Sequence, residues 1–258
     1  MRLAVIPARG GSKRIPRKNV LSFAGRPMLS YAIAAARESG LFERVVVSTD
    51  DTEIAAVARR FGAEVPFMRP PVLADDHAGT AEVVAHAVTA LAETGAHFDA
   101  VCCIYPGVPL LRSADLVAAL ALLDPQRAEY VFPVAPFPAV IQRALRRGAD
   151  GRSTPFQSEF AEHRTQDLEP AFHDAGQFYW AAPDTWTRCM SIHAHARTLV
   201  LPAWRVVDID TPDDWVRAEA LYRVLVADTA APLLTNMAVT GVAAPSRASN
   251  ARPSAIAA

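Results

Sequence analysis

The stretch Leu3-Ala4-Val5-Ile6-Pro7-Ala8-Arg9-Gly10-Gly11-Ser12-Lys13-Arg14-Ile15-Pro16-Arg17-Lys18 decides the fold of this chain. Its first four residues are apolar and predict a buried strand, and the run from Arg9 to Lys18 then carries five cations in ten residues. Gly10 and Gly11 let the backbone approach a ligand closely and point N–H groups at it. A solvated basic turn is the alternative. The glycines at the carboxyl end of a strand favour a phosphate-binding loop.

The composition limits the classes of ligand and partner. The chain has 258 residues, 51% of them hydrophobic, which is enough to bury a core, and a formal net charge of -1. That charge argues against binding of nucleic acid or of an anionic membrane surface, so the basic loop should have a small target. No stretch approaches the ~20 apolar residues of a membrane span, and the three cysteines form no disulfide framework. We therefore expect a cytoplasmic protein.

Short β-branched runs alternate with helical patterns, which predicts βαβ units and an α/β fold with a mostly parallel sheet flanked by helices. The predicted strands are 3–6, 45–49, 65–67, 101–105, 130–134, 177–180, 198–201 and 205–208. Predicted helices begin near Pro27 and at Thr52, Thr80, Ser113 and Thr211, and Gly40, Gly62 and Gly95 end the first three.

Two regions depart from this alternation. Residues 137–174 are rich in Arg, Gln, Glu and His without a helical period, which predicts an inserted arm. Residues 227–258 consist mostly of small residues, Pro, Ser and Thr with no period, which predicts a disordered tail. We therefore expect one domain, 1–226, that contains the arm.

The tripeptide Asp208-Ile209-Asp210 is a candidate metal site. In an extended segment, residues two apart face the same way, so both carboxylates project together while Ile209 turns to the core. Two carboxylates suit Mg²⁺, which commonly takes one or two of them together with substrate phosphates. The alternative is negative charge at a helix N-terminus. Near strand two, Asp51 is predicted to cap a helix, and the role of Asp50 stays open.

A third group of polar residues lies in two runs, 164–170 and 173–179. Their Arg, Gln and His side chains offer the directed donors and acceptors that an acidic sugar requires, and an ordinary polar loop is the alternative. His193 and His195 have no further ligand at metal spacing, so we interpret them as surface residues.

Together these motifs resemble the acylneuraminate cytidylyltransferase family of CMP-nonulosonic acid synthetases, and within it the pseudaminic acid branch. The matching stretches cover nearly the whole predicted domain: Ile6 to Lys13 with Pro16 to Asn19, Val47 to Asp51, Arg69 with Ala78 and Thr80, Tyr105-Pro106, Arg164 to Tyr179, and Asp208 to Thr211. The resemblance implies a Rossmann-like nucleotidyltransferase fold of the glycosyltransferase-A type, with the arm forming a homodimer. It also implies a reaction: CTP and an acidic nine-carbon sugar give CMP-sugar and pyrophosphate, with Mg²⁺ required.

The resemblance further implies roles for individual residues. Catalytic roles fall to Arg9, Lys18, Asp208 and Asp210, and the metal is expected at Asp208 and Asp210. Nucleotide contacts are implied for Ala8, Arg9, Gly10, Gly11, Ser12, Lys13, Lys18, Asn19, Arg69, Ala78, Thr80, Tyr105 and Pro106. Sugar contacts are implied for Gln142, Arg143, Arg164, Gln166, Asp167, His173 and Gln177. Either Asp210 or a water on the metal could take the proton of the sugar hydroxyl.

Two departures from the sialic acid branch concern the sugar. Tyr105 stands where that branch usually has Gln, and His173-Asp174-Ala175-Gly176 stands where it has Arg-Pro-Asn-Gly. Both favour pseudaminic acid. The alternatives are a CMP-legionaminate or CMP-N-acetylneuraminate synthetase, and, in another class, a nucleotide-sugar binding protein without catalysis. A synthetase for an eight-carbon keto acid is disfavoured, because those relatives lack the Gly-Gly-Ser-Lys run.

Overall fold

The computed structural model describes residues 1–75, 78–124, 126–127 and 129–230. Within them the helices and strands alternate along much of the chain. The strands are β1 (Arg2–Pro7), β2 (Ser22–Phe23), β3 (Arg26–Pro27), β4 (Arg44–Ser48), β5 (Ala100–Ile104), β6 (Tyr130–Pro136), β7 (Leu145–Arg147), β8 (Ser153–Pro155), β9 (Phe172–Asp174), β10 (Phe178–Ala181) and β11 (Ala196–Val200). The helices are α1 (Leu29–Glu38), α2 (Thr52–Arg60), α3 (Thr80–Ala92), α4 (Ser113–Leu120), α5 (Pro183–Thr187) and α6 (Pro212–Ala230).

The central sheet has the strand order β11-β6-β10-β5-β1-β4, and β9 pairs with β6. Strand β1 is parallel to β4 and β5, and β11 is parallel to β6, whereas β10 runs antiparallel between β5 and β6. Alternate residues of β1 face opposite layers: Ile6 packs with Leu29 of α1, and Val5 packs with Val84 of α3. The predicted α/β fold with a mostly parallel sheet and helices on both faces is confirmed.

Local signals locate several helix ends correctly. Gly40, Gly62 and Gly95 adopt φ of +64°, +87° and +86°, a left-handed conformation that favours glycine after a helix. Asp51 caps α2, because its Oδ1 accepts hydrogen bonds from the backbone N–H of Glu53 and Ile54 at 2.8 and 3.0 Å. Among the described helices, none combines the length and apolarity needed to span a bilayer.

Two predicted strands are wrong. In the segment 65–67 the chain forms no strand, and only the preceding residue, Glu64, makes a single bridge to Val46. Pro66 has no backbone donor for a ladder. The segment 205–208 is also not a strand, because a short 3₁₀ turn, Ala203–Arg205, directs Arg205 into the core.

The boundaries of the arm and the tail also differ from the prediction. Residues 172–174 belong to the central sheet through β9. Of the predicted arm, 137–174, only residues 137–171 therefore lie outside this sheet. Within this arm, β7 and β8 form a small antiparallel hairpin. Helix α6 continues to Ala230, past the predicted start of the tail at 227, and the rest of the predicted tail, 231–258, lies outside the described residues.

Helix α6 positions the segment that carries the two aspartates. Ile209 is buried in a cluster with Phe23 and Ala218. Trp215 and Tyr222 of α6 pack edge-on against the Phe23 ring, with centroids 5.4 and 5.6 Å away. Since Phe23 follows the basic loop closely in sequence, this packing fixes the 208–210 segment beside that loop.

Candidate active site

The basic loop leaves β1 at the sheet's carboxyl edge and is held by hydrogen bonds from two sides. The N–H of Gly10 donates to Oδ1 of Asp50 at 3.0 Å, and Nδ2 of Asn19 donates to the Arg9 carbonyl at 3.0 Å. Asp50, whose role the sequence left open, therefore organises the loop. Asn19 is buried, and among the described residues its Oδ1 has no partner. An unpartnered buried acceptor beside the loop suits a ligand that donates a hydrogen bond.

Glycine is required at position 10 because the loop packs closely on Asp51. A Cβ at this position would lie 2.7 Å from Oδ2 of Asp51, closer than side chains pack, whereas a Cβ at Gly11 would meet nothing within 4 Å. Asp51 cannot easily move away, because it caps α2. The loop can therefore lie against the helix N-terminus only with glycine at position 10.

We expect Gly10→Ala to destabilise the ligand-free protein by about 1–3 kcal/mol, the usual range for overpacking. Gly11→Ala is the matched control and should stay within about 0.5 kcal/mol of the parent. Denaturant unfolding followed by circular dichroism measures both. Equal stability of the two variants would contradict the close packing of the loop on Asp51.

The loop forms the wall of a cleft of about 440 Å³. The lining residues are Pro7, Arg9, Ser12, Lys13, Arg14, Lys18, Asn19, Pro106 and Asp210. Six of the residues predicted to contact the nucleotide are thus brought together, and Asp210, one of the two predicted metal ligands, lines the same cleft. Four of the lining side chains are cations, so the cleft suits a polyanion.

Asp210 is linked to two cations of the loop. Nη2 of Arg14 lies 2.9 Å from its Oδ1, and Nζ of Lys18 lies 3.7 Å from the same oxygen. Lys18 also donates to the carbonyl of Ile209 at 2.6 Å. Sequence reasoning assigned no role to Arg14, and the structure adds it to the site. Arg17 instead pairs with Asp51 and Glu53 outside the cleft.

The Asp208-Ile209-Asp210 segment keeps the alternation predicted for it, with Ile209 only 1% exposed. Desolvation and the negative charge of Asp210 both raise the pKa of Asp208 above its usual range. A cation between the two carboxylates would relieve this repulsion, so the pair fits Mg²⁺ with phosphate oxygens as further ligands. Over the described ranges, no group of three or more His, Cys, Asp or Glu residues could form a metal site from protein ligands alone.

A second pocket, of about 200 Å³, adjoins the cleft and shares Pro7 and Arg9 with it. Its other lining residues are Arg69, Leu73, Asp75, Ala78, Thr80, Val83 and Tyr105. Four of these, Arg69, Ala78, Thr80 and Tyr105, were predicted to contact the nucleotide. Nη1 of Arg9 donates to the Asp75 carbonyl at 2.8 Å, and Oγ1 of Thr80 is hydrogen bonded to the Tyr105 hydroxyl at 2.9 Å.

Arg69 supports this pocket from behind. It is 6% exposed, and burial lowers its pKa. Its Nε donates to Oγ of Ser48 at 3.1 Å and its Nη1 donates to the carbonyl of Leu73 at 3.5 Å. The guanidinium therefore joins the end of β4 to the segment that closes the pocket.

The predicted sugar residues are not gathered into either cavity: no member of the set is among the described residues that line them. Gln142 donates to the Glu169 carbonyl at 2.9 Å, and Arg143 donates to Oγ1 of Thr165 at 2.9 Å. These contacts lie within the arm. Arg164 contacts the Gln166 amide, and the next residue, Asp167, closes the same short 3₁₀ turn, Thr165–Asp167.

The remaining two predicted sugar residues lie nearer the sheet. His173 is in β9, and its Nδ1 is hydrogen bonded to the Asp174 carbonyl at 2.9 Å. Gln177 is 3% exposed and contacts the Arg205 carbonyl through Nε2 at 3.4 Å, while its Oε1 is buried and has no partner among the described residues.

Arg205 and Asp115 form a buried ion pair that sequence reasoning missed. Nη1 and Nη2 of Arg205 lie 2.7 and 3.1 Å from the two carboxylate oxygens of Asp115 in α4. The pair anchors the turn immediately before the 208–210 segment. Its partners are 90 residues apart in the chain, and no local pattern connects them.

Comparisons of the sequence with known proteins identify a family. The family model described as "Cytidylyltransferase" matches residues 3–141. A pseudaminic acid cytidylyltransferase of Campylobacter jejuni serotype O:2 is 41% identical over 223 residues, which cover 86% of this chain and 96% of that protein. A CMP-N,N'-diacetyllegionaminic acid synthase of Legionella pneumophila is 32% identical over 230 residues, covering 86% and 96%.

Solved structures agree on the fold. A CMP:2-keto-3-deoxy-manno-octonic acid synthetase complexed with CTP superposes with a TM-score of 0.65 at 19% identity, covering 87% of this chain and 99% of that one. A 4-diphosphocytidyl-2C-methyl-D-erythritol synthase from Anaerococcus prevotii gives a TM-score of 0.57 at 10% identity, covering 86% and 98%. At these identities the similarity supports the architecture alone.

Proposed function

The chain belongs to the cytidylyltransferase family and is a nucleotidyltransferase, and we propose that it transfers CMP from CTP to the anomeric hydroxyl of pseudaminic acid. The observation that carries this proposal is the two-part cleft. One part, rich in cations, suits a triphosphate, the other suits a nucleoside, and Arg9 belongs to both. The choice of sugar rests on two relatives from Campylobacter jejuni, both pseudaminic acid cytidylyltransferases. Each aligns with this chain over 96% of its own length.

In the proposed reaction the anomeric oxygen forms a bond to the α-phosphorus of CTP, and the bond from that phosphorus to the α,β-bridging oxygen breaks. Pyrophosphate leaves, and the hydroxyl proton is lost to a base. Arg9, Lys13 and Lys18 hold the phosphates in line and stabilise the negative charge that develops on them. Lys18 is preorganised for this role by its hydrogen bond to Ile209.

We assign Mg²⁺ to Asp208 and Asp210. When bound, the ion would neutralise phosphate charge and assist the departure of pyrophosphate. The two side chains themselves supply four carboxylate oxygens opposite the basic loop, and Asp210 balances the charge of Arg14 and Lys18 before the nucleotide binds. Support for the ion comes from this donor set and from the raised pKa of Asp208.

We propose that the acidic sugar approaches from the side of the arm, where Gln142, Arg143 and Arg164 supply donors. His173 and Gln177 would complete this site from the sheet. Gln142 and Arg143 are held against the 163–169 segment of the arm by their hydrogen bonds to it.

We further propose that the arm forms a homodimer. Several large apolar side chains of the arm and its base are exposed: Phe137, Ile141, Leu145, Phe156 and Phe172. Leu145 and Phe156, on and beside the hairpin, are 61% and 59% exposed, and contiguous exposed apolar surface is typical of protein interfaces.

A cytoplasmic location is part of the proposal. Cys102, Cys103 and Cys189 are free thiols in the described part of the chain, and Cys189 is exposed. Unpaired cysteines are usual in a reducing compartment.

One assay tests the reaction and the sugar together. The purified protein is incubated with CTP, Mg²⁺ and, separately, pseudaminic, legionaminic and N-acetylneuraminic acids, and released pyrophosphate is measured. We expect the highest kcat/KM with pseudaminic acid. Turnover of another sugar well ahead of it would overturn the choice of substrate. Binding of CTP in calorimetry without pyrophosphate release from any of the three sugars would instead indicate a non-catalytic binding protein.

A further inference from the structure

Arg14 is a cation of the basic loop that lies against one of the two carboxylates assigned to the metal. Its Nη2 is 2.9 Å from Oδ1 of Asp210, and its side chain, which is 66% exposed, lines the cleft. Among the described residues, Asp210 is the one group that forms an ion pair with Arg14. The pair is therefore exposed and rests on a single contact, and pairs of this kind open easily.

Lys18 contacts the same carboxylate but is held more firmly. Its Nζ lies 3.7 Å from Oδ1 of Asp210 and also donates to the carbonyl of Ile209 at 2.6 Å. Its side chain is 22% exposed, a third of the exposure of Arg14. Of the two cations beside Asp210, Arg14 is therefore the one that can leave by rotation of its side chain.

The formal charges around Asp210 cancel, because Asp208 and Asp210 are negative while Arg14 and Lys18 are positive. Desolvation and the charge of Asp210 raise the pKa of Asp208, whereas the charges of Lys18 and Arg14 lower it. Both cations thus act on both carboxylates. A divalent cation that arrives alone meets no net attraction here, and it must compete with Arg14 for Oδ1 of Asp210.

We propose that Arg14 makes metal binding depend on the nucleotide: it pairs with Asp210 until a triphosphate draws it away, and its departure opens the carboxylate to the metal. The proposal rests on the proposed function, in which the cleft takes the triphosphate of CTP and Asp208 and Asp210 take Mg²⁺. A triphosphate carries more negative charge than one carboxylate, and a guanidinium binds phosphate oxygens in a bidentate manner. The metal therefore binds with the nucleotide and not before it.

The exposure of the pair sets the size of the expected effects. An exposed ion pair shifts an equilibrium constant by up to about fivefold. Without the side chain of Arg14, a divalent metal should bind the nucleotide-free protein about fivefold more tightly. CTP should bind about fivefold more weakly when no metal is present, because this cation no longer contacts its phosphates.

The test measures the two equilibria separately on the full chain. Electron paramagnetic resonance of free Mn²⁺, used in place of Mg²⁺, gives the metal affinity without nucleotide. Calorimetry in the presence of a chelator gives the affinity for CTP without metal. Arg14→Gln should tighten the first and weaken the second, each about fivefold. Arg14→Lys keeps the positive charge and should stay near the parent in both measurements.

Arg17→Gln is the matched control. Arg17 belongs to the same loop but pairs with Asp51 and Glu53 outside the cleft, so its loss removes one positive charge without freeing Asp210. Both affinities should remain parental in this variant. The inference would be overturned if Arg14→Gln bound Mn²⁺ no more tightly than Arg17→Gln, or if it bound CTP as tightly as the parent.

A double variant separates the inference from the proposed function. The Mn²⁺ that binds Arg14→Gln should be lost when Asp210→Asn is added. Binding that persists unchanged would contradict the assignment of the metal to Asp208 and Asp210, and with it the inference. Failure to release pyrophosphate with any of the three sugars would contradict the proposed reaction alone, because neither affinity requires turnover.

Discussion

Asp210→Asn should lower kcat by about a thousandfold while the protein still binds CTP. The substitution keeps the size of the side chain and removes the charge that faces Arg14 and Lys18 at 2.9 and 3.7 Å. Loss of a single preorganised electrostatic contact at a reacting centre commonly costs a hundredfold to a thousandfold in rate. Here the same carboxylate is also a proposed metal ligand, so the effect should lie at the upper end.

Steady-state kinetics and calorimetry together measure this prediction. Without the anionic partner, Arg14 and Lys18 remain available to phosphate, so the affinity for CTP should be unchanged or higher. Asp213→Asn, at an exposed position in the first turn of α6, is the matched control and should keep parental kcat. If Asp210→Asn retained kcat within tenfold of the parent, Asp208-Ile209-Asp210 would have no direct part in the reaction.

The largest effect on stability is expected at the buried ion pair between Asp115 and Arg205. Their side chains are only 12% and 9% exposed. Asp115→Ala leaves the guanidinium buried without a counterion, which typically costs about 3–5 kcal/mol in the free energy of unfolding. The turn before Asp208 should loosen at the same time, because Arg205 is its anchor.

Denaturant unfolding of two further variants separates this explanation from a general sensitivity to alanine. Asp184→Ala removes the exposed pair with Arg188, whose atoms lie 3.0 Å apart, and should cost less than about 1 kcal/mol. The double variant Asp115→Leu with Arg205→Met removes both charges together and should recover most of the lost stability. A cost below about 1 kcal/mol for Asp115→Ala would show that water or another group compensates Arg205.

The parts of the fold that the sequence predicts are those encoded by neighbouring residues. Asp51 caps the helix that follows it directly, and the glycines after α1, α2 and α3 adopt positive φ because the chain reverses there. The failures depend on distant contacts. The 205–208 segment has strand-like composition, yet Arg205 turns inward to a partner in α4. The antiparallel direction of β10 likewise depends on the path of the arm.

The residues of the candidate site also separate into those that local sequence predicts and those that depend on distant contacts. The cations of the basic loop and the two aspartates are clustered in sequence, so residue type and spacing were enough to select them. Arg14 was left out because a cation next to other cations carries no local sign of its partner, Asp210.

The return of the chain to β6 has a consequence for the evolution of this enzyme family. Val134 pairs with Asp174 and Pro136 with Phe172, so both ends of the arm are fastened to the same strand pair. Insertions and deletions within the arm can therefore accumulate without shifting the register of the central sheet. In the proposed function the arm binds most of the acceptor sugar, so most of the changes needed for another sugar would fall in this segment and not in the strands beside the CTP cleft.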